Sequence, residues 1–491
     1  MTRRAGAAAD GPHLARLFTI AVLVYFAAQT AVRTLLGGAF EVDEAEMLLL
    51  ARDLRWGYGL QLPLYNWWQL LWFELFGVNT FAVAGAKNLL RALTLLVLFR
   101  ALGQVYPVRL AAAGAAALML VPDFLWQGQR AGTHSTALCL MMAVFLWALV
   151  GVVRTGRWRD YLWLGAALGL GVISKYNFLL YALPLLGAAA ALRETRPAIL
   201  SRRMGLALGV AVGIAAGPLL WLVLNADRAT TSAQKFFNEA APPDLPGWLN
   251  SLILYGQGML IGLAPVLILA VLLRGRRVLR APAPWGGGWL AQVLWWALVG
   301  ATLVGVAGAV GAGISNLETR WLLPQFLLAA PVLAIWGAVA APRGAGWVLG
   351  VASLLGLLSL AGMADIRLRG AGSDSLRIDV LADRLDARLE ALGARDPLVL
   401  SNYYYAGNLR FHRPGWHYVT GARPDELAAH DGPILVVLPR QAKTLEDVAG
   451  LAVIAGRYRI VEAGTFDIPY RFADDERRSV AYALLEAGPP R

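Results

Sequence analysis

Apolar residues run along the first three quarters of the chain in long blocks separated by short polar loops. A membrane-spanning helix needs about 20 apolar residues, and shorter helices occur where protein partners bury them. The blocks that meet these criteria are residues 15–36, 80–101, 107–122, 132–153, 161–174, 178–192, 204–225, 249–273, 289–310, 321–341 and 345–365. The pattern predicts a polytopic helical bundle of about eleven transmembrane helices. The blocks 161–174 and 178–192, which are interrupted by polar residues 174–177, also fit a single re-entrant unit.

The pattern changes in the last quarter of the chain. Charged residues with helical spacing occupy residues 374–397. Short β-type apolar runs follow at residues 397–402, 433–439 and 457–466. We therefore predict a mainly α fold with two domains: a transmembrane domain with outer loops and juxtamembrane helices at residues 1–365, and a small soluble α/β domain at residues 366–491.

The composition agrees with a membrane protein. The 491 residues are 58% hydrophobic and 15% charged, and the mean hydropathy is +0.55. The net charge of +12 comes from 44 Lys and Arg against 32 Asp and Glu. Nucleic-acid binding would need these cations on one soluble face, a pattern that the chain lacks. The single cysteine, Cys139, lies in an apolar block, so the chain forms no internal disulfide.

The distribution of Arg predicts the orientation. One set of alternate loops is rich in Arg, including Arg100, Arg109, Arg154, Arg157 and Arg159, and the opposite set holds few cations. By the positive-inside rule the first set and the N-terminus are cytoplasmic. The first apolar block lacks a small-residue cleavage site and reads as a retained helix. An odd number of spans then places the C-terminal domain outside.

The first outer loop carries the densest group of acids in the chain. Glu41, Asp43, Glu44 and Glu46 fall within six positions directly after the first span. A charge near hydrocarbon costs about 2.5–3.5 kcal/mol even on insertion scales, so such residues usually pair, bind or react. The aromatic segment 63–68, PLYNWW, follows this loop and predicts a short amphipathic helix in the headgroup layer.

Four further polar clusters lie at predicted outer ends of spans. They are Asp123, Arg130, Thr133, His134 and Ser135; Lys175, Tyr176 and Asn177; Arg228, Lys235, Glu239 and Asp244; and Asn316, Glu318 and Arg320. Carboxylates that face Arg and Lys on one side of the membrane suit a substrate with a phosphate and a group to be deprotonated.

Several of these segments together resemble one known superfamily. They are the pair Asp43-Glu44, the PLYNW segment at 63–67, LGxGVxSKYNF at 168–178 and RWLxP at 320–324. With a soluble outer tail, this set is similar to the GT-C superfamily of polytopic glycosyltransferases. Within it, the chain resembles the protein O-mannosyltransferase and aminoarabinose-transferase branch, of glycosyltransferase family 39 type. The likeness covers residues 15–365 and weakens in the tail.

The resemblance implies that a sugar moves, with inversion, from a polyprenyl-phosphate donor to a periplasmic acceptor: lipid A, lipopolysaccharide, another glycan or a protein. It implies a multi-pass protein of the bacterial inner membrane with its site and C-terminal domain in the periplasm. Asp43 maps to the base and Glu44 to its orienting partner. The candidate substrate-binding residues are Glu46, Gln61, Tyr65, Arg130, His134, Lys175, Tyr176, Asn177 and Arg320. Among these, Arg130, Lys175 and Arg320 are the cations available for the lipid phosphate.

Two positions depart from the family pattern. Glu46 stands where several relatives have Arg or Tyr, and Gln61 stands where aminoarabinose enzymes have Lys. Because less positive charge lies near the acids, the sugar and the mode of phosphate binding stay open. No cofactor is obligatory, and a divalent cation at the first-loop acids is an open alternative.

Each candidate also has a structural explanation. These are a solvated helix start for Asp43 and Glu44, an interfacial anchor for Arg130 and Arg320, a helix cap for Lys175, a packed polar residue for His134 and a membrane belt for Tyr65.

Two other classes of protein compete with the glycosyltransferase. A transporter or flippase of an amphipathic glycolipid would account for many spans with outer charges. Transporters usually show internal repeats and ionisable residues near the midplane, and the chain shows no repeat. An assembly protein whose C-terminal domain binds a partner would not need the concentrated loop acids.

Overall fold

All eleven apolar blocks form helices in the computed structural model of the chain. The structure describes residues 2–59, 61–226, 236–237, 245–280, 288–394, 397–421, 424–439, 442, 444–448, 450–454, 456–473 and 475–487. Within these ranges, eight helices are long and apolar enough to cross a membrane. They are Gly11–Leu36, Thr80–Gly103, Thr133–Thr155, Met204–Leu224, Gly247–Arg274, Trp289–Ala312, Thr319–Ala338 and Gly344–Arg369. The chain is therefore a multi-pass membrane protein.

The remaining predicted spans are shorter or bent. Val108–Leu120 and Asp123–Arg130 would count as a ninth span, but the two helices meet at an angle of 76°. Trp158–Val172 and Leu179–Ala191 have 15 and 13 residues, below the roughly 20 that span a bilayer unaided. The figure of about eleven crossings therefore stays a prediction.

Pro122 lies at the bend of the paired helices. A proline lacks the N–H that would continue the helical hydrogen bonds, and a π-helical turn, Asp123–Gln127, follows it. Turns of this kind inside α-helices are frequent at functional sites. The bend lies in the predicted outer cluster that contains Arg130 and His134.

The described chain divides into two compact units. The first consists of Met1–Gln29, Trp56–Tyr65 and Lys87–Ser359, and the second of Thr30–Arg55, Asn66–Ala86 and Leu360–Arg491. The predicted division after residue 365 follows the order of the chain, whereas the second unit also takes in most of the first outer loop. It includes most of the juxtamembrane helix as well, which runs from Leu64 to Phe76.

Small residues let helices approach closely in the first unit. A Cβ added to Gly165 would overlap the Ala207 backbone, and one on Gly169 would lie 2.8 Å from the Ala211 carbonyl oxygen. Helix association in membranes relies on such close packing, because lipid tails are as apolar as the side chains. This contact explains how the short helix Trp158–Val172 is held against Met204–Leu224.

The second unit contains a five-stranded sheet in the order β2-β1-β3-β5-β4. The strands are β1 (Leu398–Leu400), β2 (His417–Val419), β3 (Ile434–Val437), β4 (Tyr458–Pro469) and β5 (Arg477–Ala487). β1 pairs in parallel with β2 and β3, and β5 is antiparallel to β3 and β4. The small α/β domain is thus confirmed, although the apolar runs indicated β1, β3 and β4 and missed β2 and β5.

A helix covers one face of this sheet. It runs from Ile378 to Ala391, and Leu381, Leu385 and Leu389 lie one turn apart along its buried side. These side chains share a core with Val399 of β1 and with other strand residues. The four-residue spacing is that of an amphipathic helix, so the charge pattern that predicted a helix here also fixes which side faces the sheet.

The acid-bearing segment of the first loop forms the helix Val42–Leu50, here called the acidic helix. It packs against Tyr403–His412, here called the clamp helix. A Cβ on Gly407 of the clamp helix would overlap the carbonyl oxygen of Ala45. Asn408 donates from Nδ2 to the Phe40 carbonyl oxygen and accepts from the Phe40 N–H, both at 2.8 Å. The C-terminal domain therefore fixes the start of the acidic helix directly.

We predict that Gly407→Ala displaces the acidic helix from the clamp helix. The added methyl group has no space, and overpacking of this kind costs about 1–3 kcal/mol. The expected result is a lower melting temperature of the purified protein in detergent and greater proteolysis of the first loop. The matched control is Gly346→Ala in the helix Gly344–Arg369, where an added Cβ meets nothing within 4 Å. Equal melting temperatures for the two variants would contradict this packing.

Candidate active site

The acidic helix gives its carboxylates different surroundings. Asp43 and Glu44 occupy its first turn, where the N-terminal end of the helix dipole favours negative charge. Asp43 is half-buried, whereas Glu44 is 0% exposed and Glu46 is 5% exposed. The predicted helix start is therefore present. The side chain of Glu44, however, is buried and not solvated.

Glu44 forms a buried ion pair with Arg33, in the last turn of the first span. The distance between Arg33 Nη2 and Glu44 Oε2 is 3.3 Å. The same guanidinium donates to the carbonyl oxygens of Gly37 at 2.6 Å and Ala39 at 3.2 Å, and it lies 5.0 Å from the centre of the Phe40 ring. Arg33 thereby connects the end of the span, the loop and the acidic helix.

A second set of contacts fixes the same loop from the C-terminal side of the chain. Arg367 donates to the Gly37 carbonyl oxygen at 2.9 Å and lies 4.0 Å from a carboxylate oxygen of Asp374. Ser373 Oγ donates to Glu41 at 2.9 Å. Because Arg33 and Arg367 both bind Gly37, the loop before the acidic helix has little freedom to move.

These contacts separate the roles of the paired acids. Glu44 is committed to Arg33 and is closed to solvent, so it suits a positioning function. Asp43, in the same helical turn, keeps part of its surface accessible. A general base must reach the proton that it removes, and of these two carboxylates Asp43 is the accessible one.

The first unit brings together three of the predicted outer clusters. Lys175 Nζ donates to Ser135 Oγ at 2.8 Å, and the ring centres of Tyr65 and His134 are 5.6 Å apart. Asn177 Nδ2 donates to the Trp321 carbonyl oxygen at 2.9 Å. These contacts join segments that are separated by up to 144 positions, and most of the predicted substrate-binding residues lie in them.

Arg320 lies beside acidic partners. It forms an ion pair with Glu318 and interacts electrostatically with Asp123, whose carboxylate accepts a hydrogen bond from the Thr319 side chain. Its side chain is 30% exposed. Arg320 is thus oriented by carboxylates while part of its side chain remains exposed.

Three more of the predicted residues differ in exposure. Gln61 is half-buried, and its backbone oxygen accepts from the Tyr58 N–H at 3.3 Å. Tyr176 is 42% exposed. Arg130 is half-buried at the end of the bent helix pair. The predicted cluster Arg228, Lys235, Glu239 and Asp244 lies outside the described residues.

The sequence analysis missed several buried cations, and two of them lie in the same span. Lys87 is 1% exposed and donates to the Gln129 carbonyl oxygen at 2.8 Å, and Arg91 is 1% exposed and donates to the carbonyl oxygens of Phe124 and Leu125. Both satisfy carbonyl groups at the π-helical bend. Two cations four residues apart inside an apolar span are an informative signal, and that signal was present in the sequence.

The described residues contain no group of three or more His, Cys, Asp or Glu side chains that could hold a metal ion. The predicted divalent-cation alternative at the first-loop acids was not tested by any observation and stays a prediction.

Comparison with solved structures identifies the fold. The chain is similar to ArnT from Cupriavidus metallidurans in the apo state, with a TM-score of 0.57 and 15% identity over 96% of this chain and 99% of that one. For the same protein bound to undecaprenyl phosphate, the TM-score is 0.59 and the identity 16%, with the same coverage.

Sequence relatives agree with that fold. The lipopolysaccharide core galacturonosyltransferase RgtA of Rhizobium johnstonii is 30% identical over 479 residues, which cover 91% of this chain and 93% of the relative. RgtB, of the same name and organism, is 28% identical over 62% of each chain. The family model described as dolichyl-phosphate-mannose-protein mannosyltransferase matches residues 61–221.

The fold and the relatives define an integral-membrane glycosyltransferase of the GT-C superfamily. Within that superfamily, the chain belongs to the same family of glycosyltransferases as RgtA. The predicted resemblance and the predicted enzyme class are therefore confirmed, and the transporter and assembly-protein alternatives are set aside.

Proposed function

We propose that this enzyme transfers a galacturonosyl residue from a polyprenyl-phosphate donor to the core of lipopolysaccharide. The acceptor and sugar are supported by the relatives named lipopolysaccharide core galacturonosyltransferases. The donor is supported by the similarity of the fold to a protein solved with undecaprenyl phosphate. Transfer takes place on the periplasmic side of the bacterial inner membrane, in line with the distribution of Arg between the loops.

The observation that carries this proposal is the accessible Asp43 on a helix fixed by the buried Arg33–Glu44 pair. Asp43 takes the proton of an acceptor hydroxyl as the hydroxyl oxygen attacks the anomeric carbon of the donor. The bond between that carbon and the phosphate oxygen breaks, and its electrons leave with the polyprenyl phosphate. Attack opposite the leaving group inverts the configuration, and Asp43 later releases its proton to water.

The leaving phosphate gains negative charge during this step, and cations lower the free energy of that charge. Lys175 and Arg320 are the residues proposed for this role. Lys175 is oriented by Ser135 and Arg320 by Glu318, so both groups are positioned before the substrate arrives. Preorganised charge of this kind is usually a large contribution to catalysis.

We predict that Asp43→Asn lowers the transfer rate by about 10²–10⁴-fold, because the amide cannot accept the proton. The measurement is transfer from polyprenyl-phosphate galacturonic acid to a lipopolysaccharide core acceptor by the purified protein. The matched control is Asp53→Asn, which removes an exposed carboxylate paired with Arg55 in the same loop. Full activity of the Asp43 variant would refute the assigned base, and absence of transfer by the unaltered protein would refute the substrates.

We predict that Arg320→Ala raises the KM for the donor by about 10–100-fold, as expected for the loss of a charged hydrogen bond, and leaves the acceptor KM nearly unchanged. Steady-state kinetics with each substrate varied separately measure both constants. Arg369→Ala is the control, because Arg369 is 81% exposed and pairs with Asp365 within one helix. An unchanged donor KM would mean that Arg320 acts as an anchor at the end of its span.

A further inference from the structure

Two adjoining cavities lie beside the end of the acidic helix and the clamp helix, within the second unit. The first has a volume of about 440 Å³, and the second about 350 Å³. Three residues line both cavities. They are Pro414 and two cations: Arg52, which follows the acidic helix, and Arg410, on the last turn of the clamp helix. The mechanism proposed above uses neither arginine.

The walls of the two cavities differ in chemistry. Tyr403, Trp416, His417 and Tyr418 line the first cavity. Flat rings with polar edges of this kind offer stacking faces and hydrogen bonds to a sugar. The second cavity is lined mainly by apolar side chains. They include Leu48, Leu70, Phe73 and Val78. A polar cavity that adjoins an apolar one matches an amphipathic molecule, with its charged group at the two arginines.

The two guanidinium groups carry a charge that the described part of the chain does not neutralise by direct contact. Neither side chain makes a hydrogen bond or an ion pair with a described residue, and Arg410 lies over the Tyr418 ring at 5.7 Å. Burial, and secondly the nearby charge of Arg52, lower the pKa of Arg410. Two like charges near a half-buried cavity are unfavourable until an anion binds between them. The acids that line the cavities are Glu426 in the first and Glu74 in the second.

The position of this pair relative to Asp43 is set by the acidic helix. Asp43 lies in its first turn, and Arg52 is the second residue after its end. Leu50 is seven positions after Asp43 in the helix, which corresponds to about 10 Å along the axis. A charged substituent bound at the arginines would therefore fix the acceptor at a set distance from the base.

We propose that Arg52 and Arg410 bind an anionic substituent, a phosphate or a carboxylate, on the acceptor glycolipid. Guanidinium groups recognise both anions through paired hydrogen bonds. This inference rests on the proposed function, since it assigns a subsite to the acceptor of that reaction. The site then determines which acceptors are used, because a neutral glycan would leave the two cations unpaired.

The test measures binding separately from transfer. The full-length protein with Asp43→Asn is used in detergent, so that acceptor binding is measured without turnover. The probes are a native lipopolysaccharide core, a dephosphorylated core and a carboxyl-reduced core. We expect the native core to bind at least about 10-fold more tightly than one of the neutralised cores. The neutralised core that binds more weakly lacks the group that the arginines recognise. Arg52→Ala combined with Arg410→Ala should abolish the difference, and Arg410→Lys should retain part of it.

Three controls keep the result specific. Arg459→Ala removes an exposed cation of β4 that lies 3.9 Å from Glu486, and it should leave the affinities unchanged. Melting temperatures identify variants that fail to fold. The single variant Arg52→Ala changes an exposed side chain and replaces the double variant if that one does not fold. In the background with Asp43 intact, the double variant should raise the acceptor KM about 10-fold while the donor KM stays within about twofold.

Several outcomes would overturn the inference. They are equal binding of native and neutralised cores by the protein with both arginines, a preference for the native core that survives in the double variant, and a donor KM that rises as much as the acceptor KM. The last result would assign the arginines to the polyprenyl phosphate. Failure of the proposed function is distinct, because it appears as absent transfer by the unaltered enzyme whatever the binding data show.

Discussion

The buried ion pair between Arg33 and Glu44 is the interaction on which the acid-bearing loop depends. Both side chains are closed to solvent, and removal of one partner from such a pair costs about 3–5 kcal/mol because the other charge stays buried. The pair joins the end of the first span to the acidic helix. The pair therefore removes the carboxylate of Glu44 from solvent and leaves that of the adjacent residue, Asp43, accessible.

The C-terminal domain completes this arrangement. Asn408 binds both backbone groups of Phe40, and the absence of a side chain at Gly407 lets the clamp helix reach the acidic helix. Through these contacts the domain holds the first loop, and the same helix places Arg410 in the wall of the cavity that we propose for the acceptor.

Local sequence patterns predicted the helical blocks, three strands and the importance of the first-loop acids, because these features depend on periodicity and local charge. The partners of the acids could not be predicted in this way. Asn408 contacts Phe40 across 368 positions, and nothing local in the chain marks that pair. Arg33 was overlooked for another reason: a single cation barely lowers the hydropathy of a long apolar block, although its burial makes it informative.

A double-mutant cycle on Arg33→Met and Glu44→Gln tests the central claim most directly. Transfer rate and melting temperature are measured for the unaltered protein, the two single variants and the double variant. Each single variant should lose both activity and stability, and the double variant should recover a large part of both, which corresponds to a coupling energy above about 1 kcal/mol. Additive losses, or single variants with unchanged transfer, would show that the buried pair does not hold the catalytic loop in place.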